Sequence, residues 1–292
     1  MKKLNELIAS DEIVILDGAW GTELNLLGLI SGTCPELWNI EKPELVEKIA
    51  KSYVDAGAKI ILTNTFGGTS IKLKKFGLEN KVRELNKAGV QISKRAVGIN
   101  AFVFASVGPT GEFLEPIGDF SVSKMTEIFA EQIEAMIEGG ADAILIETMS
   151  DLEEVKCAIS ATKSIDKNIP IAVSFTFEKG LNGFATMMGV TPRIACEQLN
   201  DLVNIIGANC GNGPDSMIEL VREISVYTKL PIWSRANAGL PILVDGKTVF
   251  PASAAEMKTA VPKLIAAGAR FIGGCCGTTP EHIQAMSRCN FE

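Results

Sequence analysis

The stretch that decides the fold is Glu138-Gly139-Gly140-Ala141-Asp142-Ala143-Ile144-Leu145-Ile146-Glu147-Thr148. Gly139 and Gly140 come directly after an amphipathic helical pattern. Glycine is common in that position because it caps the C-terminal end of a helix. A short apolar run that ends in a carboxylate comes next, and it is typical of a buried strand. Ser150-Asp151-Leu152-Glu153 then has the spacing of a capping box. The segment therefore predicts a helix, a buried strand and a second helix, which is the repeating unit of a parallel α/β fold.

The same pattern recurs along the chain. Asp55-Ala56-Gly57-Ala58 and Ala266-Ala267-Gly268-Ala269 also end a helical pattern and lead into an apolar run. Pro43, Pro192 and Pro280 each predict a helix start, because proline is favoured at the first helical position. Eight short apolar or β-branched runs are each followed by a longer amphipathic segment. They are Ile13 to Asp17, Ile60 to Phe66, Phe102 to Val107, Ala143 to Thr148, Ile171 to Phe177, Asn204 to Cys210, Ile232 to Ala236, and Arg270 to Gly274.

Eight such units in 292 residues predict an α/β protein with the (β/α)8 TIM-barrel fold, whose usual length is roughly 250 residues. A doubly wound open sheet is the main alternative, but it normally has fewer strands and a Gly-rich phosphate loop after the first one. Asp17-Gly18-Ala19-Trp20-Gly21-Thr22 follows the first run, and its glycine spacing does not match a dinucleotide fingerprint. We therefore expect a barrel with no interdomain linker.

Composition argues against several classes of function. The net charge is −7 and the longest basic run is Lys72-Leu73-Lys74-Lys75, so we expect no nucleic-acid partner. No apolar stretch approaches the roughly 18 residues of a membrane helix, and Glu6, Asp11 and Glu12 interrupt the segment that a signal peptide would need. Seven irregularly spaced cysteines in a chain with a sizeable core indicate reduced thiols. We therefore expect a cytoplasmic protein.

Two adjacent thiols end the eighth run, in Gly273-Gly274-Cys275-Cys276-Gly277. Neighbouring residues of a regular strand point to opposite faces, so two sulfurs aimed at one point need an irregular backbone, which flanking glycines allow. The sixth run ends at Cys210, and the carboxyl ends of all barrel strands meet at one face. We therefore expect Cys210, Cys275 and Cys276 to converge as metal ligands.

Three thiolates favour Zn²⁺, one ion per chain, with a fourth coordination position left open as in catalytic sites. The alternative is that these three are ordinary buried thiols, as we expect for Cys34, Cys157, Cys196 and Cys289. His282 is the single histidine, and we expect it to be a surface or capping residue of the last helix. With one histidine in the chain, a histidine-based catalytic triad or a histidine-rich metal site is almost excluded.

Polar residues end several of the other runs. Glu147 follows four apolar residues and would be costly to bury without a cationic or hydrogen-bonding partner. Asp17 ends the first run, although an aspartate in that position is equally typical of a turn or cap. Asn64 lies near the end of the second run, and Asn237 follows the seventh. In a barrel, all four would lie at the face that carries the active site.

Gly207-Ala208-Asn209-Cys210-Gly211, together with Gly273-Gly274-Cys275-Cys276-Gly277-Thr278, resembles the zinc signature of the homocysteine S-methyltransferase family. This family includes the homocysteine-binding module of cobalamin-dependent methionine synthase and the betaine-dependent enzyme. The similarity extends over essentially the whole chain and implies a single homocysteine-binding (β/α)8 barrel over residues 1–292. Further matching segments are Asp17-Gly18-Ala19-Trp20-Gly21-Thr22-Glu23-Leu24, Asn64-Thr65-Phe66, Gly108-Pro109, Glu147-Thr148, and Asn237-Ala238-Gly239-Leu240-Pro241.

The resemblance also implies a reaction. Cys210, Cys275 and Cys276 would bind zinc and act in catalysis through it, with the homocysteine thiolate in the fourth position. The metal would keep that sulfur deprotonated without a histidine base. The implied enzyme is a methyltransferase of methionine biosynthesis and one-carbon metabolism, which methylates homocysteine to methionine.

Substrate residues follow from the same resemblance. Asp17 and Glu147 resemble the acids that hold the homocysteine ammonium group, and Asn237 resembles a family asparagine close to the metal. Asn64, in its matching segment, is also expected to bind substrate. Trp38 lies in Cys34-Pro35-Glu36-Leu37-Trp38-Asn39, where it either faces a methylated cation through a cation–π contact or packs the loop against the barrel rim.

The methyl donor is left open. We expect methylcobalamin to be carried by a separate corrinoid protein, with a small methylsulfonium or betaine as the second candidate. Phe250 stands where many relatives carry tyrosine, in a loop that could contact the donor. Two other functions are compatible with the sequence. One is a zinc-dependent demethylating enzyme that passes a methyl group from a small compound to a corrinoid protein or another thiol, and the other is a non-catalytic module with structural zinc.

Overall fold

The computed structural model describes residues 4–244 and 247–291, and its main feature is a ring of eight parallel strands. The bridge between Leu16 and Ile60 joins the first strand to the second and closes the ring. The predicted (β/α)8 barrel is therefore confirmed, and the open sheet is ruled out. The strands are β1 Val14–Ile15, β2 Ile60–Leu62, β3 Phe102–Val107, β4 Ala143–Met149, β5 Ile171–Phe175, β6 Ile205–Cys210, β7 Ile232–Ala236 and β8 Ala269–Gly274.

Helices surround the strand ring, and the three proline starts are confirmed at Pro43, Pro192 and Pro280. The predicted capping box at Ser150 is wrong: Asp151 is the N-cap, and its side chain accepts a hydrogen bond from the Glu153 amide. The α-helices are α1 Leu4–Ala9, α2 Trp20–Leu26, α3 Trp38–Glu41, α4 Pro43–Asp55, α5 Ser70–Lys74, α6 Val82–Val97, α7 Val122–Glu138, α8 Leu152–Ile165, α9 Pro192–Leu199, α10 Pro214–Tyr227, α11 Ala254–Ala267 and α12 Pro280–Ser287. Pro35–Leu37 and Glu79–Lys81 form short 3-10 helices.

Glycines end the helices that precede β2, β4 and β8, as predicted. Gly57, Gly140 and Gly268 have φ angles of 100°, 95° and 112°. A side chain at such a φ would clash with the backbone, so glycine allows the tight reversal from helix to strand.

The interior of the barrel is filled by aromatic and aliphatic side chains. Trp233 stacks on Phe104 and Phe271, with ring centroids 5.7 and 6.2 Å apart. Leu4 and Leu7 of α1 join the same buried cluster, so the N-terminal helix closes one end of the barrel. The other end, formed by the carboxyl ends of the strands, carries the site.

Two antiparallel strand pairs extend the loops at the carboxyl end of the barrel. Glu178–Gly180 pairs with Gly183–Ala185 after β5, and Ile242–Val244 pairs with Lys247–Val249 after β7. Across residues 4–244 and 247–291, we find no helix with the length and hydropathy needed to cross a membrane.

Candidate active site

The three predicted metal ligands lie together at the carboxyl end of the barrel. Cys210 is the last residue of β6, and Cys275 and Cys276 follow β8. Their sulfur atoms all lie within 4.8 Å of one another, and Cys210 Sγ is 3.3 Å from Cys275 Sγ. This cluster joins two strands that are separated in the ring only by β7.

The irregular backbone expected at the paired cysteines is present, because Gly277 has a φ of 81° in the turn after β8, and a second irregularity lies at Cys210. Its φ is 67°, whereas Cys275 and Cys276 avoid positive φ and enter a turn in which Thr278 N donates to Cys275 O at 3.1 Å. Thr148, the other positive-φ residue besides glycines among those described, has a φ of 61° at the end of β4. Such strain in residues with a Cβ is a frequent feature of functional sites.

Asn209 connects the strained strand ends. Its Nδ2 donates to Thr148 Oγ1 at 2.8 Å and to Cys210 Sγ at 3.1 Å. Its Oδ1 accepts from Thr148 N at 3.0 Å and from Ser174 Oγ at 2.6 Å. This one amide therefore links β4, β5 and β6 and orients the first thiol of the cluster. An asparagine at the end of an apolar run was the signal for it in the sequence.

The donor set fits a soft divalent metal ion. Hydrogen bonds from Cys210 and Cys275 lower the pKa of Cys276, and the same contacts raise the pKa of Cys210. A metal ion that binds this cluster would displace the thiol protons, because sulfur coordinates such an ion as the thiolate. Asn237 lies beside them, with its backbone N donating to Cys210 O at 3.3 Å. Its Nδ2 donates to Gly211 O at 2.8 Å, and its buried Oδ1 has no hydrogen-bond partner among the described residues.

The two predicted ammonium-binding acids share a guanidinium that the sequence analysis missed. Arg235 Nη2 lies 2.9 Å from Asp17 Oδ1, and Nη1 lies 3.3 Å from Glu147 Oε2. All three side chains are at least nine-tenths buried. The signal was present in the sequence, because an arginine inside an apolar strand is rarely buried without partners.

Burial dominates the acid–base properties of this cluster. Desolvation raises the pKa of Glu147 to about 7, against the opposing effects of Arg235 and of a hydrogen bond from Ser106. Desolvation also raises the pKa of Asp17, while Arg235 and donors from Leu62 and Trp20 oppose the rise. Glu147 therefore changes charge close to neutral pH.

A cavity of about 860 Å³ opens above the cysteines and Glu147. Trp20, Phe66 and Phe250 contribute aromatic rings to its lining, and Glu36 contributes a carboxylate that accepts from Gly67 N at 2.6 Å. The cavity combines an apolar wall with thiols and charged groups at its base, which suits a small amino acid and a second reactant.

Asn64 and Trp38 have different relations to this cavity. Asn64 lines it, but its Nδ2 donates to Pro35 O at 2.8 Å and to Asn39 Oδ1 at 3.0 Å. Trp38 is buried outside the lining, with Lys42 Nζ 4.1 Å from its ring centroid. Its role in donor binding stays a prediction, and Trp20 is the tryptophan that the cavity exposes.

The remaining singled-out residues are structural. His282 Nδ1 contacts the Thr279 hydroxyl at 2.9 Å and completes a capping arrangement at the start of α12. Cys34, Cys157 and Cys196 are buried, as expected, whereas Cys289 is only half-buried.

Comparison with known proteins places this geometry in a family. The family model described as homocysteine S-methyltransferase matches residues 14–289. Methionine synthase of Mycobacterium leprae is 33% identical over 304 aligned positions, which cover 96% of this chain and 25% of that protein. Methionine synthase of Mycobacterium tuberculosis is 32% identical over 299 positions, with the same coverage. The chain thus spans about a quarter of the length of these relatives.

Solved structures agree with the sequence comparison. The homocysteine methyltransferase MmuM from Escherichia coli, in its metallated form, superposes with a TM-score of 0.81 at 25% identity, covering 98% of this chain and 99% of that one. Its oxidized form gives a TM-score of 0.79. Because the family model spans all eight strands and the three clustered cysteines, the chain belongs to the homocysteine S-methyltransferase family of enzymes.

Proposed function

We propose that this protein is a zinc-dependent methyltransferase that methylates homocysteine to methionine. The observation that carries the proposal is a cluster of three thiols that faces the same cavity as a buried carboxylate, Glu147. A thiol amino acid offers one group for each: a sulfur for the metal site and an ammonium for the carboxylate. Membership of the homocysteine S-methyltransferase family supports this substrate.

Cys210, Cys275 and Cys276 would hold the zinc ion, and the backbone N of Asn237 donates to the carbonyl of Cys210. When bound, zinc supplies a Lewis acid that keeps a substrate thiol deprotonated at neutral pH. Three soft sulfur donors are the ligand type that zinc accepts in tetrahedral sites.

The chain's own residues orient the substrate. Glu147 accepts the substrate ammonium at the base of the cavity, where Arg235 also contributes to the lining and Asp17 lies outside it. The aromatic wall of Trp20, Phe66 and Phe250 excludes water from the space above the thiols. In that space the substrate sulfur attacks the methyl carbon in line, and the donor leaves with the bonding electron pair. Holding both reactants in one orientation is a large part of the rate enhancement in such a transfer.

For the donor, we favour a methylcorrinoid carried by a partner protein. Exposed apolar side chains lie on the loops at the carboxyl end of the barrel, and two of them, Leu26 and Phe66, line the cavity. Exposed apolar patches are typical of protein interaction sites. The family also includes cobalamin-dependent methionine synthase, which fits a barrel that receives its methyl group from a corrinoid. The exposed apolar residues at this end include Leu26, Ile30, Phe66, Phe113, Leu181, Met187, Leu240 and Leu243.

A small methylsulfonium or betaine is the second candidate donor. Trp20, Phe66 and Phe250 could stabilise a methylated cation through their ring faces, and Glu36 adds a carboxylate on the same wall. MmuM of Escherichia coli, which matches nearly the full length of this chain, is a single barrel-sized protein by its coverage.

The test is a methyl-transfer assay with homocysteine and zinc-loaded protein, in which methylcobalamin, a betaine and a methylsulfonium are supplied in parallel. We expect methionine from at least one donor and none from a Cys276→Ala variant. Methylation of a corrinoid or another thiol without homocysteine turnover would favour the demethylating enzyme instead. Failure of homocysteine to compete with other thiols for the site would overturn the proposal.

A further inference from the structure

Arg235 lies on β7 between the two carboxylates that were expected to act as a pair. Its Nη2 donates to Asp17 Oδ1 at 2.9 Å and to Gly18 O at 2.8 Å, whereas its Nη1 reaches Glu147 Oε2 only at 3.3 Å. Its Nε is buried without a partner among the described residues. The guanidinium is thus anchored firmly on one side and loosely on the other.

Asp17 is closed off from the cavity and is engaged by three protein donors. Its Oδ2 accepts from Leu62 N at 2.7 Å and from Trp20 Nε1 at 2.8 Å, and its Oδ1 is taken by Arg235. The side chain is 0% exposed and lies outside the cavity lining. A substrate ammonium would have to displace a buried hydrogen bond to reach it, which carries the full desolvation penalty of the displaced group.

Glu147 is the acid that remains available. It lines the cavity, its Oε1 accepts a hydrogen bond from Ser106 Oγ at 2.5 Å, and its Oε2 is held only by the contact with Arg235 at 3.3 Å. When both acids are ionised, the trio carries one more negative than positive charge, and the excess falls on the side that faces the cavity. A single ammonium group would neutralise it, so the trio is suited to an amino acid cation of that charge.

From this arrangement we propose that Arg235 is a positioning residue for substrate recognition. It uses Asp17 as its anchor and holds the Glu147 carboxylate in the orientation that receives the homocysteine ammonium group. The inference rests on the proposed function, and it replaces a pair of equivalent acids with one acid that binds substrate and one that fixes the arginine.

The competing explanation is that Arg235 only neutralises the buried charge of Asp17. The two roles predict different behaviour toward γ-mercaptobutyrate, which is homocysteine without its amino group. A positioning role acts through the ammonium, so loss of Arg235 should weaken homocysteine binding and leave γ-mercaptobutyrate binding unchanged. A purely structural role would weaken both thiols equally.

The experiment is calorimetric titration of both thiols into zinc-loaded protein at neutral pH, for wild type, Arg235→Lys, Arg235→Met and the double variant Arg235→Met/Asp17→Asn. We expect at least a ~10-fold loss of homocysteine affinity in Arg235→Met, the size associated with a charge-assisted hydrogen bond. Lysine should restore part of it, because one ammonium keeps the charge but cannot reproduce the fork of contacts. Arg222→Met, at an exposed position on α10, is the matched control and should bind like wild type.

The double variant removes the arginine and its anchor charge together, so the buried charge of Asp17 needs no compensation. It also keeps the test valid if Arg235→Met alone fails to fold, as circular dichroism would reveal. Continued selective loss of homocysteine affinity in the double variant supports the proposal. Wild-type affinity in it, or equal loss for both thiols, would overturn the positioning role. If wild-type protein itself binds homocysteine no better than γ-mercaptobutyrate, the proposed substrate is wrong instead.

Discussion

The two ends of this barrel differ in the side chains that they contain. At the closed end, Leu4 and Leu7 cover an interior of stacked aromatic rings, and Arg270 donates to the Ile8 carbonyl at the edge. At the open end, Cys210 and Thr148 adopt strained backbone angles. The closed end is filled by apolar side chains, whereas thiols and charged groups line the cavity at the open end. The difference indicates that stability and function can be perturbed separately.

The sharpest test of that separation is removal of a metal ligand. We expect Cys276→Ala to lose stoichiometric zinc and all methyl-transfer activity, while thermal unfolding changes little, because the aromatic core lies away from the thiols. Zinc content by elemental analysis and a melting curve measure the two effects. Cys289→Ala is the matched control, since this half-buried thiol lies outside the cluster. Unfolding of the barrel on zinc removal would instead indicate a structural metal.

The next largest effect is expected at the carboxylate of the open end. Glu147→Gln should raise the Kd for homocysteine by ~10- to 100-fold, because the ammonium loses its ionic partner. Titration calorimetry measures the change, and γ-mercaptobutyrate should bind the variant as well as it binds the wild type. Equal affinity of both proteins for homocysteine would remove Glu147 from the substrate site.

A pH dependence follows from the same residue. Burial raises the pKa of Glu147 to about 7, so the carboxylate is ionised above that pH and neutral below it. Homocysteine keeps its ammonium charge over this range, and kcat/KM should therefore fall by ~10-fold for each pH unit below the pKa of Glu147. The Glu147→Gln variant should lack this acidic limb. If the variant shows an acidic limb with the same midpoint, the limb belongs to the thiols and not to Glu147.

The smallest effect on function should come from the closed end. Leu7 is 6% exposed within the inner cluster, and Leu7→Ala should lower the free energy of unfolding by about 2 kcal/mol. Zinc content and homocysteine affinity should stay at wild-type levels, since the substitution lies at the opposite end from the thiols. Denaturant unfolding gives the first quantity and titration the second. A parallel loss of metal would show that the two ends are coupled.

Local sequence patterns predicted the ends of several helices correctly. The glycines at 57, 140 and 268 and the prolines at 43, 192 and 280 mark helix ends because their backbone preferences act within a few residues. The capping residue before α8 was misassigned by one position, from Ser150 to Asp151, since both side chains can accept the same kind of hydrogen bond.

The site was predicted in part. Strand ends in a barrel share one face, so Cys210 could be grouped with the paired cysteines from sequence position alone. Position in the sequence did not indicate whether Trp38 or Trp20 faces the cavity. Their difference depends on packing, because Lys42 covers the Trp38 ring while Trp20 faces the cavity.

Short segments of the sequence were enough to predict the eight-stranded parallel barrel and the three thiols at the carboxyl ends of its strands. The reason is that hydrophobic periodicity and position at the end of a strand are both local properties of the chain. Only the tertiary structure decided that Arg235 stands between Asp17 and Glu147. Asp17 and Glu147 lie 218 and 88 positions from Arg235 along the chain. Their contact with Arg235 depends on which side chains of different strands point into the barrel at the same level along its axis. The strained backbone of Cys210 has the same origin, since closure of the ring sets where each strand must end.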